Sequence, residues 1–261
     1  MTLRHALLSS VLLVAACGAS APTGAEAQSP SGMSDEEFDR RLREALMRNP
    51  ELIIEAIEAY RTQLEEQAAT ASKESVVELL PNLVSAQSGH AIGASEEDAS
   101  IIIVEFFDYH CGFCRTAMAD VLALVEADPS VRVVFQELPI LRDESRDAAA
   151  ASVAAAKIDP DGYRKMHSAL FQSSGVLDET AIERAAKRAS LKPRALDKAL
   201  EDHAEEIEAT IDQSIDMARQ IGIQGTPYFI VANPESGRFE ILEGFRTEQF
   251  EAMVESVRGQ G

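Results

Sequence analysis

Cys111 and Cys114 stand on either side of Gly112 and Phe113, with His110 immediately before them. Two thiols at this spacing could serve as a structural staple, a clip for a soft metal, or a reagent that exchanges disulfides. The staple is the weakest reading, because closing so short a loop removes little entropy from the unfolded chain. The metal reading is better, since two thiolates suit Zn or Cu(I). A closed zinc site needs four ligands, however, and the chain has no second CxxC. His90, His167 and His203 have no recognisable ligand spacing and default to surface or packing roles. Disulfide exchange remains, with no metal and no cofactor required. A Cu(I)-binding protein using the same sulfurs is the alternative of another class, disfavoured by the lack of a Met-rich tract.

The flanking elements suit exchange. Residues 101–107, Ile-Ile-Ile-Val-Glu-Phe-Phe, are β-branched and aromatic without alternation, as expected for a central strand covered on both faces. From Cys114 to Val125 the apolar spacing is helical, which puts Cys111 at a strand-to-helix junction. Unpaired N–H groups and the helix dipole favour a thiolate there. Glu105 lies inside the apolar strand and is costly unless protonated or partnered. Its pKa is therefore expected to rise, making it a candidate proton relay to Cys114; a strand-end carboxylate reaching solvent is the alternative. His110, when protonated, would stabilise the Cys111 thiolate; the alternative is a solvated histidine beside the motif. Further on, residues 131–138 form a second strand and about 144–221 a helical insertion broken at Asp159-Pro160-Asp161-Gly162 and Lys192-Pro193. Two closing strands (228–231 and 239–242) and a helix (247–257) follow.

The compartment is set at the N-terminus. Arg4 and His5 precede an apolar run, residues 6–16, too short to span a bilayer and suited to a secretory signal. Ala25-Glu26-Ala27 fits cleavage after residue 27, followed by a leader at 28–33. Val14-Ala15-Ala16-Cys17 fits the alternative, a lipoprotein signal ending at 16 with a lipid anchor on Cys17. The expected location is the periplasm, where disulfides persist. With 24 Lys and Arg against 44 Asp and Glu, the formal charge of -20 repels phosphate backbones, so no nucleic-acid partner is expected.

Glu105 through Cys114 (EFFDYHCGFC), the helical insertion and Gly225-Thr226-Pro227 together resemble the DsbA-like thiol:disulfide oxidoreductases over about residues 98–261, and most of all the suppressor-of-copper-sensitivity protein C (ScsC) type. The resemblance implies an α/β thioredoxin fold with a helical insertion, preceded by an N-terminal helical oligomerisation segment. It also implies a cis Pro227 beside the CxxC, with Thr226, Gly112 and Phe113 joining it in substrate binding. A threonine before this proline goes with isomerases and reductases in the family. The absence of a histidine between the cysteines argues against a very oxidising potential. Clients would be exported proteins with cysteines, and a membrane-bound reductase would keep Cys111 reduced. The rival within the family is a monomeric disulfide-forming oxidase.

The oligomerisation region is assigned to 34–95, with the catalytic domain at 96–261. Ser34-Asp35-Glu36-Glu37 reads as a capping box, and Asn49-Pro50 restarts a second helix on which Ile53, Ile57, Tyr60 and Leu64 form a short apolar seam. The alternative is a helix pair folded against the catalytic domain.

Overall fold

The computed structural model describes residues 33–85 and 89–259. The expected signal peptide, its lipoprotein alternative with Cys17, and nearly all of the leader lie outside the described residues. The chain divides into two units, one ending at Thr62 and one beginning at Gln63.

In the first unit, helix α1 covers Asp35–Arg48 and α2 begins at Glu51, running to Val84. Ser34 caps α1 by accepting the Glu37 N–H at 3.3 Å, and the Glu37 carboxylate pairs with Arg40 and Arg41. Asn49 ends α1, donating both its backbone N–H and its side-chain amide to the Ala45 carbonyl. No residue of α1 is buried, and Phe38, Leu42, Leu52, Ile53, Ile57 and Tyr60 are all exposed.

The second unit is built on a five-stranded sheet in the order β1 (His90–Gly93), β3 (Val131–Glu137), β2 (Ile101–Phe107), β4 (Tyr228–Asn233), β5 (Arg238–Glu243). Only the β2–β3 pair is parallel. All seven residues of β2 are buried, which explains the missing alternation in its sequence. Ile101, Ile103 and Phe107 pack with α3 (Gly112–Ala127), the helical insertion and α9 (Thr247–Arg258). Ile102, Val104 and Phe106 pack on the other face with Val76, Leu79 and Leu83 of α2. The insertion comprises α4 (Glu144–Ala155), α5 (Gly162–Phe171), α6 (Glu179–Arg188), α7 (Pro193–Asp202) and α8 (Ala204–Ile221).

The region 34–95 is not helical throughout. Its last residues form β1, which pairs antiparallel with β3 from His90 opposite Phe135 to Gly93 opposite Arg132. Four residues bounded by glycines carry too little periodicity to announce a strand, and their stability comes from the β3 ladder instead. Gly93 is needed at the end of this strand. Its φ is +87°, and a Cβ there would lie 2.3 Å from the Val131 carbonyl oxygen.

Candidate active site

Cys111 is the N-cap of α3. Its Sγ accepts the Cys114 N–H at 3.2 Å, and as a thiol donates to the Thr226 carbonyl at 3.2 Å. A capping serine or aspartate accepts a helix amide in the same way. Here the acceptor is a sulfur, and the bond stabilises it most when it is charged. The Cys111 thiol is lowered from 9.0 to about 6, chiefly by the Cys114 side chain, with the backbone amides of Cys114 and Phe113 adding to it against partial burial. Cys114, one turn further in, is fully buried. Its thiol is pushed far up by burial, with the neighbouring Cys111 and Glu105 adding to the shift. Both cysteines are free thiols. One motif therefore holds an activated sulfur, in a residue only 5% exposed, at the N-terminal end of a helix and a silent, fully buried one a turn beneath it.

Glu105 is in the middle of β2, between Phe135 on β3 and Phe229 on β4. By strand alternation it shares the face of Ile103 and Phe107, the face on which α3 lies. Burial pushes its carboxyl well above the ordinary value, and the charge of Cys111 pushes it further. The strand-end alternative does not hold, because the residue is only 2% exposed. A protonated carboxyl on the cysteine side of the sheet can give or take a proton as the sulfurs change charge.

Thr226 and Pro227 lead into β4, and the peptide bond between them is cis. The Thr226 carbonyl at the Cys111 sulfur brings this turn and the CxxC together across 115 residues of sequence. The Thr226 hydroxyl is buried without a hydrogen-bond partner. Gly112 has open space where a Cβ would project, and Phe113 is exposed.

His110 departs from expectation. Its Nε2 accepts the Leu177 N–H at 3.1 Å, and its Nδ1 lies 2.9 Å from Ser145 Oγ. Ser145 in turn donates to Asp108 Oδ1 at 2.9 Å, so the imidazole donates from Nδ1 and is neutral. Desolvation holds its pKa below the usual value of 6.5. The expected role for His110, a positive charge stabilising the Cys111 thiolate, is therefore corrected: burial disfavours the charge, and both ring nitrogens are engaged away from the sulfur.

Two residues before the nucleophile have a role that sequence reasoning missed. Asp108, fully buried, accepts four hydrogen bonds: from the His110 N–H (2.7 Å), the Ile140 and Leu141 N–H groups (each 2.9 Å) and Ser145. The Tyr109 hydroxyl lies 2.7 Å from Ser152 Oγ, 3.0 Å from His167 Nδ1 and 3.3 Å from Glu137 Oε1. Glu137 also accepts from Tyr163 at 2.9 Å and is pushed well up by burial. His167 and His90 pack among these rings, lowered by burial to about 3 and about 4. The available signal was a tripeptide of hydrogen-bonding residues between an apolar strand and a cysteine. Its partners, however, come from the end of β3, the loop after it and the insertion, and could not be paired from the sequence.

Among the described residues, no group of three or more His, Cys, Asp or Glu side chains could hold a metal ion, and no helix is long and apolar enough to cross a membrane.

The sheet, the CxxC at a helix start and the facing cis-proline turn define a thioredoxin-fold domain whose geometry can carry thiol–disulfide exchange. The chain belongs to the DsbA-like thioredoxin family: a sequence model of the DSBA-like thioredoxin domain matches residues 102–255, and one of the copper resistance protein ScsC N-terminal domain matches 36–67. A thioredoxin-like oxidoreductase from Silicibacter pomeroyi DSS-3 is similar at 36% identity and a TM-score of 0.59, over 69% of this chain and 97% of that one. The ScsC of Proteus mirabilis, in a transitional conformation, is similar at 26% identity and a TM-score of 0.61, over 88% and 99%. Disulfide bond formation protein D of Bacillus subtilis is 26% identical over 146 residues. That match spans 52% of this chain and 65% of the Bacillus protein.

Proposed function

We propose that the chain is an exported thiol–disulfide oxidoreductase that reshuffles wrongly paired disulfides in proteins of the periplasm. The observation that carries this reading is the asymmetry of the two thiols: Cys111 is charged near neutral pH, and Cys114 is held neutral and buried. The Cys111 thiolate attacks one sulfur of a client disulfide, forms a mixed disulfide and releases the other sulfur as a thiolate. A different client thiolate then attacks the client sulfur in the mixed disulfide and expels Cys111, so the client is rearranged with no net change in electrons, whereas attack by the thiolate just released would only restore the original bond. In the reductive branch Cys111 is tied up in the mixed disulfide, and its charge no longer opposes a carboxylate at Glu105. The proposed step is that ionised Glu105 takes the proton of Cys114, whose sulfur then attacks Cys111 Sγ. The client leaves reduced, and a membrane-bound reductant must return two electrons to the Cys111–Cys114 disulfide. Thr226 and Pro227 would align the client's backbone, with Gly112 and Phe113 forming the open approach.

The N-terminal helices are proposed to join several copies of the chain. Support comes from the match to the ScsC N-terminal domain and from the exposed seam of Ile53, Ile57, Tyr60 and Leu64. Export rests on the apolar run at residues 6–16 and on cleavage after Ala27, with lipidation of Cys17 as the other route.

One observation favours a second reading. A thiolate stabilised at Cys111 stabilises the reduced enzyme, which is the property of a disulfide-forming oxidant. Trapping tests the shared chemistry: Cys114→Ser with a disulfide-bonded peptide should accumulate a mixed disulfide at Cys111, identified by mass spectrometry. No adduct, or an adduct on another residue, would overturn both readings.

A further inference from the structure

Of the three side chains that lead into the nucleophile, Asp108 and His110 are bound to two loops rather than to the sulfur. Asp108 Oδ2 takes both amides of the Ile140–Leu141 loop, between β3 and α4. His110 Nε2 takes the amide of Leu177, in the loop between α5 and α6. Ser145 ties the two arms together, accepting from His110 Nδ1 and donating to Asp108. The Asp108 side chain is 0% exposed and that of His110 5%, so these bonds are shielded from competing water.

The loops held in this way carry an unusual surface. Among the described residues beyond Val77, the large exposed apolar side chains are Phe113 (64% exposed), Ile140 (45%), Leu141 (49%) and Val176 (42%). Phe113 lies between the cysteines. Ile140 and Leu141 are the residues whose amides bind Asp108, and Val176 immediately precedes the residue bound to His110. Exposed apolar groups gathered in this way mark a contact surface. The reacting atom identifies what should cover this one: a polypeptide whose disulfide is under attack at Cys111.

We propose that Asp108 and His110 are positioning residues which, through Ser145, hold the apolar loops of Ile140–Leu141 and Val176 beside Cys111 as a docking rim for the unfolded client segment next to its disulfide. This rests on the exchange reading above. Neither side chain is hydrogen-bonded to the Cys111 sulfur, so changing them should weaken client binding more than it slows the chemistry. The His110 arm needs a neutral ring, because a protonated imidazole cannot accept the Leu177 N–H. Asp108 and Glu144 favour the charge on His110, while Arg142, Arg115 and burial oppose it.

The experiment uses the full chain and two disulfides, glutathione disulfide and a peptide disulfide with leucine and valine beside its cysteines. In His110→Phe, which keeps a ring and removes both bonds, KM for the apolar peptide should rise about tenfold, with kcat changing less than about twofold and the pH midpoint of Cys111 alkylation moving less than about 0.3 unit. His110→Gln, whose carbonyl can accept the Leu177 N–H, should recover part of that loss. The surface changes Leu141→Ser and Val176→Ser should raise the same KM even if the His110 variants fail to fold. In the wild type, KM for the apolar peptide should rise as His110 titrates below pH 6.5, a rise missing in His110→Gln. An unchanged peptide KM in Leu141→Ser and Val176→Ser would overturn the rim. A fall in kcat with a shifted alkylation midpoint in His110→Phe, at constant KM, would overturn the positioning role. Wild-type protein that exchanges with neither disulfide would instead sink the functional reading itself.

Discussion

The two units treat their apolar residues in opposite ways. In the larger one the odd and even residues of β2 go to different cores, and seven consecutive side chains disappear from solvent. In α1 and the first turns of α2, Phe38, Leu42, Ile53, Ile57 and Tyr60 recur at helical spacing and remain exposed. Helices of this kind gain little from propensity alone and depend on covering an apolar face. The apolar pattern of the larger unit is buried within the chain, whereas that of the N-terminal helices stays exposed among the described residues, a face that other copies of the chain would cover on the proposed reading. Chemistry and assembly should therefore be separable by mutation.

Exchange with a small disulfide reads the chemistry of Cys111 apart from any assembly of the chain. Cys111→Ser should reduce the rate to the uncatalysed background, measured by glutathione release, with no change in oligomeric state on sedimentation. Glu105→Gln should slow resolution of the mixed disulfide by about a hundredfold, in the range for loss of a positioned proton acceptor, and flatten its pH dependence. The same variant makes a stability prediction. Because the folded pKa of Glu105 is raised above 4.5, the carboxyl's contribution is complete below about pH 4.5 and is lost as pH rises through the folded value. Glu105→Gln should therefore lose less stability than the wild type as pH rises above about 4.5, as followed by Tm. Ile53→Ser with Ile57→Ser should change the small-disulfide rate by less than about twofold while converting the full chain to monomers. A large rate effect from that pair would mean that assembly and chemistry are not separable.

The central strand, the helix opened by the CxxC and the insertion over 144–221 were legible because each depends on local pattern: an unbroken β-branched run, a 3.6-residue period, and turn signals at Asp159-Pro160 and Lys192-Pro193. Glu105 was legible for a similar reason, as a single acid in an apolar run is conspicuous. β1 was not, since His90-Ala91-Ile92-Gly93 becomes a strand only through pairing with β3. Nor was the joint duty of α2, whose seam at 53–64 is exposed while Val76, Leu79 and Leu83 close one face of the sheet. His110 was misread because its sequence neighbour is the nucleophile, while its actual partners, Ser145 and Leu177, are 35 and 67 residues away. Local pattern reveals elements and odd residues, and contact order hides how polar side chains are paired.

The structure also fixes where the chain should be cut to test the assembly. Starting near Ser95 would remove β1 and the α2 residues that bury one face of the sheet, whereas starting at Gln63 keeps them. The most direct measurement compares the full chain with a chain beginning at Gln63 in recovering activity from a protein with scrambled disulfides, in a glutathione buffer, with sedimentation run alongside. The account predicts that the full chain is oligomeric and restores the scrambled protein, because several Cys111 sulfurs share one client and raise its effective thiolate concentration. The shorter chain should be monomeric, lose most of that recovery and still oxidise a dithiol peptide. A full chain that sediments as a monomer, or a monomeric Gln63 chain that restores the scrambled protein equally well, would contradict it.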